Sequence, residues 1–191
     1  MKEKKEFLAS LRVQVTDEAP EGALFRQHEG FQSVIGVKEE VRGGGVWFGI
    51  LSDDSTDAWG FSKRELFDAA MWNTKDDFIV EKLANILMYP DKTGETVITT
   101  DDFNGAAALL FPEVLSGVAE RFGGTMIILP SSTQEVICMA YDRNRIEEML
   151  QTVKDVNSMQ HLREEGTFLS DSIFGFSDGV LKEIKNAEDA P

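Results

Sequence analysis

Along the first fifteen positions apolar residues return at helical spacing. Phe7, Leu8, Leu11 and Val15 mark one face and predict a helix over residues 3–15. A stretch rich in turn residues, 16–22, ends it. Two β-like runs follow, 31–37 and 46–51, separated by Gly43-Gly44-Gly45, a flexible turn that accepts positive φ; together they predict a β-hairpin. Ser62 and Glu65 have the spacing of a capping box, in which the serine oxygen accepts from the amide three residues on and the glutamate reaches back. Leu66, Phe67, Ala70 and Met71 form one face of the helix that this box opens, which ends near Asn73. Asp76 and Asp77 sit where the dipole of a second helix favours negative charge. Phe78, Ile79, Leu83, Ile86 and Leu87 supply the apolar stripe of that helix, and Pro90 stops it.

Asp91 to Gly94 then predicts a turn, and the β-branched run 95–100 a strand. After the turn signal Asn104-Gly105, the compact apolar run 106–111 reads either as a strand or, given alanine's propensity, as a helix. Pro112 fits the first turn of a helix over 113–122, which Gly123-Gly124 closes. Buried strands are expected over 125–129 and 135–140, on either side of Pro130-Ser131-Ser132. A helix over 144–156 carries Ile146, Met149, Leu150 and Val153 on one face, and 168–176 reads as a strand before an acidic end. These elements predict an α+β fold, a mixed or antiparallel sheet with helices packed on it. The expected organisation is an N-terminal helix and β-hairpin extension (1–60), an α+β core (61–178) and a frayed acidic tail (179–191).

With 191 residues, 42% of them apolar and 13 of them Phe, the chain has material for a core. At this length roughly 70% of the unfolded surface can be buried without covalent staples. The uncharged apolar run 105–112 is far too short to span a bilayer, and no signal-peptide-like stretch follows the charged N-terminus. A single cysteine, Cys138, rules out an internal disulfide framework and suits a reducing compartment, the cytoplasm by default.

Charge changes the picture most. The net charge is −15, from 34 acids against 19 bases. Residues 1–52 are balanced, residues 53–102 hold 12 acids and 5 bases, and residues 141–191 hold 11 and 6. Between the two acidic stretches, residues 103–140 carry 3 acids and 1 base. A core segment flanked by acidic regions is the expected reading. Such a field repels nucleic acid and anionic membranes, since each phosphate contact needs a neutralising base. It serves solubility, or it attracts a basic protein surface.

Candidate chemistry is sparse. Ser131 and Ser132 follow a strand but lack the flanking glycines of a hydrolase elbow, so a hydrogen-bonded turn is the better reading. His28 and His161 lie in no motif, and His161 and Glu164 have ordinary helical surface spacing. Asp53, Ser55 and Asp57 match the first positions of a calcium loop, but Ala58 stands where glycine is required and Arg64 where a glutamate must ligate. Gly43-Gly44-Gly45 leads into no phosphate-binding helix. Cys138 alternates with Ile137 and Met139 in an expected strand and reads as a buried structural thiol. No cofactor or metal pattern stands out. The remaining candidates are Asp53, Asp54, Asp57, Asp76, Asp77, Asp101 and Asp102, which would form a partner-binding face if they converge. Trp47, Trp59 and Trp72 lie near them, as binding hot spots or as core.

Three segments resemble an uncharacterised family of intestinal bacteria, a domain of unknown function. They are Asn104-Gly-Ala-Ala-Ala-Leu-Leu-Phe-Pro112, Gly124-Thr-Met-Ile-Ile-Leu-Pro-Ser-Ser132 and Glu135-Val-Ile. The helix 65–74 and the dipeptide Ser170-Asp171 share the likeness, which spans roughly residues 60–175. The resemblance implies an α+β fold and a habitat rich in mobile elements, and it assigns no chemistry. The function expected is binding of a basic, nucleic-acid-handling protein, for example as a mobile-element inhibitor such as an anti-CRISPR protein. The alternative is a small hydrolase or nuclease in which Asp53, Asp57, Asp101 and Asp102 hold Mg²⁺ and a histidine acts as base.

Overall fold

Leu11, Val13 and Val15 are buried while Arg12, Gln14 and Thr16 between them are half-exposed, the alternation of a strand covered on one face. That strand, β1 (Leu11–Thr16), is the first of ten in the computed structural model, which describes residues 2–41, 45–88, 90, 94–101, 104–158 and 167–189. The chain divides into two compact units, Met1–Asp77 and Phe78–Pro191, later than the expected boundary at residue 60.

In the first unit, helix α1 (Lys2–Ser10) precedes β1. The long strand β3 (Gln32–Val41) pairs antiparallel with β1 along one side. Its other side is shared by β2 (Phe25–Gln27) and β4 (Gly45–Ile50). The expected hairpin is therefore formed by β3 and β4; Gly43 and Gly44 lie outside the described residues. A short helix, α2 (Ser55–Trp59), leads to α3 (Lys63–Thr74). The capping box is present: Ser62 Oγ accepts from the Glu65 amide, and the Glu65 carboxylate accepts from the Ser62 amide at 2.8 Å. Leu66, Phe67 and Ala70 of α3 are buried, each large side chain contributing about 1.5–3 kcal/mol by leaving water. The Val13 amide donates to Thr74 Oγ1, and Asn73 Nδ2 donates to the carbonyls of Leu8 and Leu11. Phe7 stacks on Trp59 of α2 at 3.9 Å, and α1 packs beside α3.

The second unit is a six-stranded sheet in the order β10-β9-β7-β8-β6-β5, antiparallel at every pairing. Its strands are β5 (Phe78–Lys82), β6 (Thr96–Thr100), β7 (Thr125–Leu129), β8 (Val136–Ala140), β9 (Ile173–Ser177) and β10 (Val180–Ile184). Met126, Ile128, Cys138, Ile98, Phe174 and Phe176 share one wholly buried face. Against that side lie a 3₁₀ segment, Gly105–Leu110, and helix α5 (Pro112–Ala119). On the other face Ile127, Ile173 and Ile184 pack with Ile146, Met149, Leu150 and Val153 of α6 (Ile146–Ser158). A Cβ at Gly105 would lie 2.3 Å from the Thr99 Cα and 2.4 Å from the Ile98 carbonyl oxygen, so only glycine lets this segment settle on β6. Asp178 and Gly179, both at positive φ, make the two-residue turn that joins β9 to β10.

The α+β class stands, and four local expectations are corrected. The first helix ends at Ser10, because Leu11, Val13 and Val15 answer to a two-residue period and to β3 as partner. The helix expected after Asp77 is strand β5 followed by one helical turn, α4 (Leu83–Leu87). Phe78, Ile79 and Val80 are bulky at neighbouring positions, and β6 supplies the ladder they pair with. The run 106–111 is neither strand nor α-helix but 3₁₀. Residues 180–184 of the expected frayed tail form β10, with Glu183 buried and its carboxylate accepting from Ser172 Oγ at 2.8 Å.

Candidate functional site

The expected acidic face is distributed along α3 of the first unit. Asp53 and Asp54 are exposed just before α2, and Asp57 is exposed within it. Asp76 and Asp77 follow α3 at its far end. The twelve residues of α3, a rise of about 18 Å, stand between these two groups of carboxylates along the chain. Bases stand among them. Arg12 Nε donates to Asp77 Oδ2 at 2.8 Å, Arg64 pairs with Asp68 at 3.5 Å, and Lys4 sits over the Phe61 ring near the start of α3. Asp76 is exposed and Asp77 half-buried. Asp101 is exposed in the second unit, and Asp102 lies outside the described residues.

The other candidates occupy structural positions. Residues 55–59 close as a helical turn rather than wrapping an ion, with Thr56 Oγ1 donating to the Asp53 carbonyl. Among the described residues no three of His, Cys, Asp and Glu come together as a metal site. His28 is packed against Phe31 and hydrogen-bonded to Ser33 Oγ at 2.8 Å; burial, and then the nearby Arg26 charge, lower its pKa below the ordinary 6.5. Burial pushes the Cys138 thiol up to about 12, which leaves almost no thiolate at neutral pH. Ser132 is buried, its Oγ accepting from the Gln134 amide, while Ser131 Oγ donates to Glu135. His161 and Glu164 lie outside the described residues.

Apart from the helix 65–74, which belongs to the first unit, the segments that carry the resemblance lie in the second unit. The Gln134 carbonyl accepts from the Gly105 amide at 2.7 Å and from Thr99 Oγ1, and the Thr133 amide donates to the Thr167 carbonyl. The buried Asn157 of α6 donates to the Ser170 carbonyl and to Asp171 Oδ1, tying the end of the helix to the approach to β9. Beside this corner runs a groove of about 130 Å³ lined by Leu129, Pro130, Ile137, Val153 and Val156. A hollow of about 240 Å³ lies at the β9–β10 hairpin, lined by Gly175, Ser177, Asp178, Val180 and Lys182. Both fall below the roughly 300–1,000 Å³ usual for small-molecule sites.

The three tryptophans separate. Trp59 is half-buried against Phe7, while Trp47 is 55% exposed and Trp72 is 69% exposed. Trp72 stands on the outer face of α3, one turn after Asp68, with Lys75 Nζ 3.3 Å from its ring centroid. The helical stripe of Leu66, Phe67 and Ala70 already implied that position 72 faces away from the core. Sequence reasoning named Trp72 without using that signal.

No curated protein and no solved structure matches the chain. The family match extends over residues 35–178, beginning well before residue 60 and taking in most of β3, all of β4 and α3. Over that length the chain belongs to the family of unknown function DUF5688.

Proposed function

We propose that the protein is an acidic binding module for a basic, nucleic-acid-handling partner protein, working in the cytoplasm. The observation that carries this reading is Trp72: a large indole held 69% exposed on α3, one helical turn after Asp68. Exposed aromatics of this kind anchor interfaces, because they bury much area at little cost in side-chain freedom. The net charge of −15 has a separate role. It steers a basic partner over distances beyond contact, and so acts on the association rate. A mobile-element inhibitor such as an anti-CRISPR protein is the narrowest form of this reading.

The test is surface binding kinetics against a panel of purified basic proteins that handle nucleic acid, CRISPR effectors among them. A true partner shows an association rate that falls at least tenfold between 50 and 300 mM salt, as steering requires (about two decades at most). Trp72→Ala raises the dissociation rate at least tenfold, equivalent to about 1.4 kcal/mol, and leaves the association rate nearly unchanged. Binding that ignores both salt and the Trp72 substitution overturns the reading.

A further inference from the structure

The geometry points to the face of the Trp72 indole as a cation site, occupied in the free protein by Lys75 and in the complex by an arginine side chain of the partner. This inference rests on the binding reading above and names what the indole takes. Lys75 Nζ lies 3.3 Å from the ring centroid, well inside the ~6 Å within which an aromatic face attracts a cation. Lys75 is the C-cap of α3 in helical conformation, and its amide donates to the Met71 carbonyl. Its backbone is therefore fixed, while four rotatable bonds leave the ammonium free to withdraw.

The surroundings favour a cation over any other occupant. Asp68 lies one helical turn before the indole with its side chain 61% exposed, and the exposed Asp76 follows the C-cap Lys75 in the chain. Asp68 already meets a guanidinium, that of Arg64, at 3.5 Å. A guanidinium laid flat on the indole keeps its in-plane N–H groups for a carboxylate such as that of Asp68, which a compact ammonium cannot do as well. Lys75 therefore acts as an internal competitor: it keeps the apolar ring face covered in the free protein and yields to a better-fitting cation. Arginine is also what a nucleic-acid-handling surface presents in abundance.

The experiment follows the indole N–H resonances of the full chain by NMR during titration with a short capped peptide, acetyl-Gly-Arg-Gly-amide. Its citrulline counterpart, equal in shape and uncharged, serves as control. The Trp72 resonance, assigned by its loss in Trp72→Phe, shifts with the arginine peptide and stays still with the citrulline peptide. Lys75→Met keeps an apolar stem and removes the competitor, so half-saturation falls about two- to fivefold, the range a surface cation–π contact supplies. Equal titration of Lys75→Met and the wild type, or equal shifts with both peptides, overturns the inference. If the protein panel yields no partner while the peptide titrates as expected, the cation site stands and only the nucleic-acid-handling identity falls. If a partner binds through Trp72 and Lys75→Met changes nothing, the cation site alone falls.

Discussion

The two units differ in opposite senses in their charge and in their exposed aromatic rings. Residues 1–77 hold 15 acids and 10 bases, whereas residues 78–191 hold 19 and 9, so two-thirds of the net charge belongs to the second unit. The exposed aromatic rings, by contrast, all belong to the first among the described residues: Phe25, Trp47 and Trp72. The second unit exposes aliphatic side chains instead, Met88 at 93% the most open. Net charge and exposed aromatic rings are thus concentrated in different stretches of the chain.

This contrast can be broken by perturbing one unit at a time. The largest effect is expected from Phe67→Ala, which empties a fully buried ring position and removes the surface on which the Arg26 guanidinium rests. Its cost is about 3–5 kcal/mol. Amide exchange should accelerate across residues 2–77 and hold steady in β7 and β9; acceleration in both would mean the units do not unfold separately. Gly105→Ala is the mirror experiment. Its new Cβ meets three backbone atoms, of Thr99, Ile98 and Gln134, none of which can swing aside. A loss of about 3 kcal/mol confined to the second unit is expected, at the upper end of overpacking costs. Ser62→Ala should cost the first unit about 1 kcal/mol by removing the α3 cap, seen as a lower urea midpoint with unchanged slope.

The smallest expected effect concerns pH. The folded chain holds His28 neutral, so below about 6.5 the unfolded chain binds a proton that the folded one still refuses. Stability of the first unit is full above that value and declines as pH falls through the lowered folded pKa. Melting curves of the wild type and His28→Gln between pH 7.5 and 5.5 should converge toward the acid end. Curves that stay parallel would show that burial of His28 carries no pH dependence.

Much of the second unit was legible in the sequence, because its signals are local. Pro112 opens a helix, Gly123 ends the following turn at positive φ, and the stripe of Ile146, Met149, Leu150 and Val153 faces the sheet. The misread segments are those whose structure is decided by a distant partner. Phe78, Ile79, Leu83, Ile86 and Leu87 satisfy a helical period, yet pairing of 78–82 with 96–100 makes the first part a strand and leaves Ile86 and Leu87 exposed. Leu11 satisfied both periods, and only β3 chose between them. The candidate site divides along the same line. That acids crowd residues 53–77 was plain, but Arg12 neutralises Asp77 across 65 positions, and no spacing rule reports that pairing.

Strand β3 has a practical meaning for anyone dissecting the chain. The family match starts at residue 35, partway along β3, so a fragment cut at that boundary would discard β1 and β2 and bare the side of the remaining strand that β1 covers, while β4 keeps the other. Bare ladder edges of that kind recruit one another, and such a fragment should form aggregates even though it holds every shared segment. A cut between Asp77 and Phe78 severs no ladder within either sheet. Fragments for biochemistry are best designed around that seam.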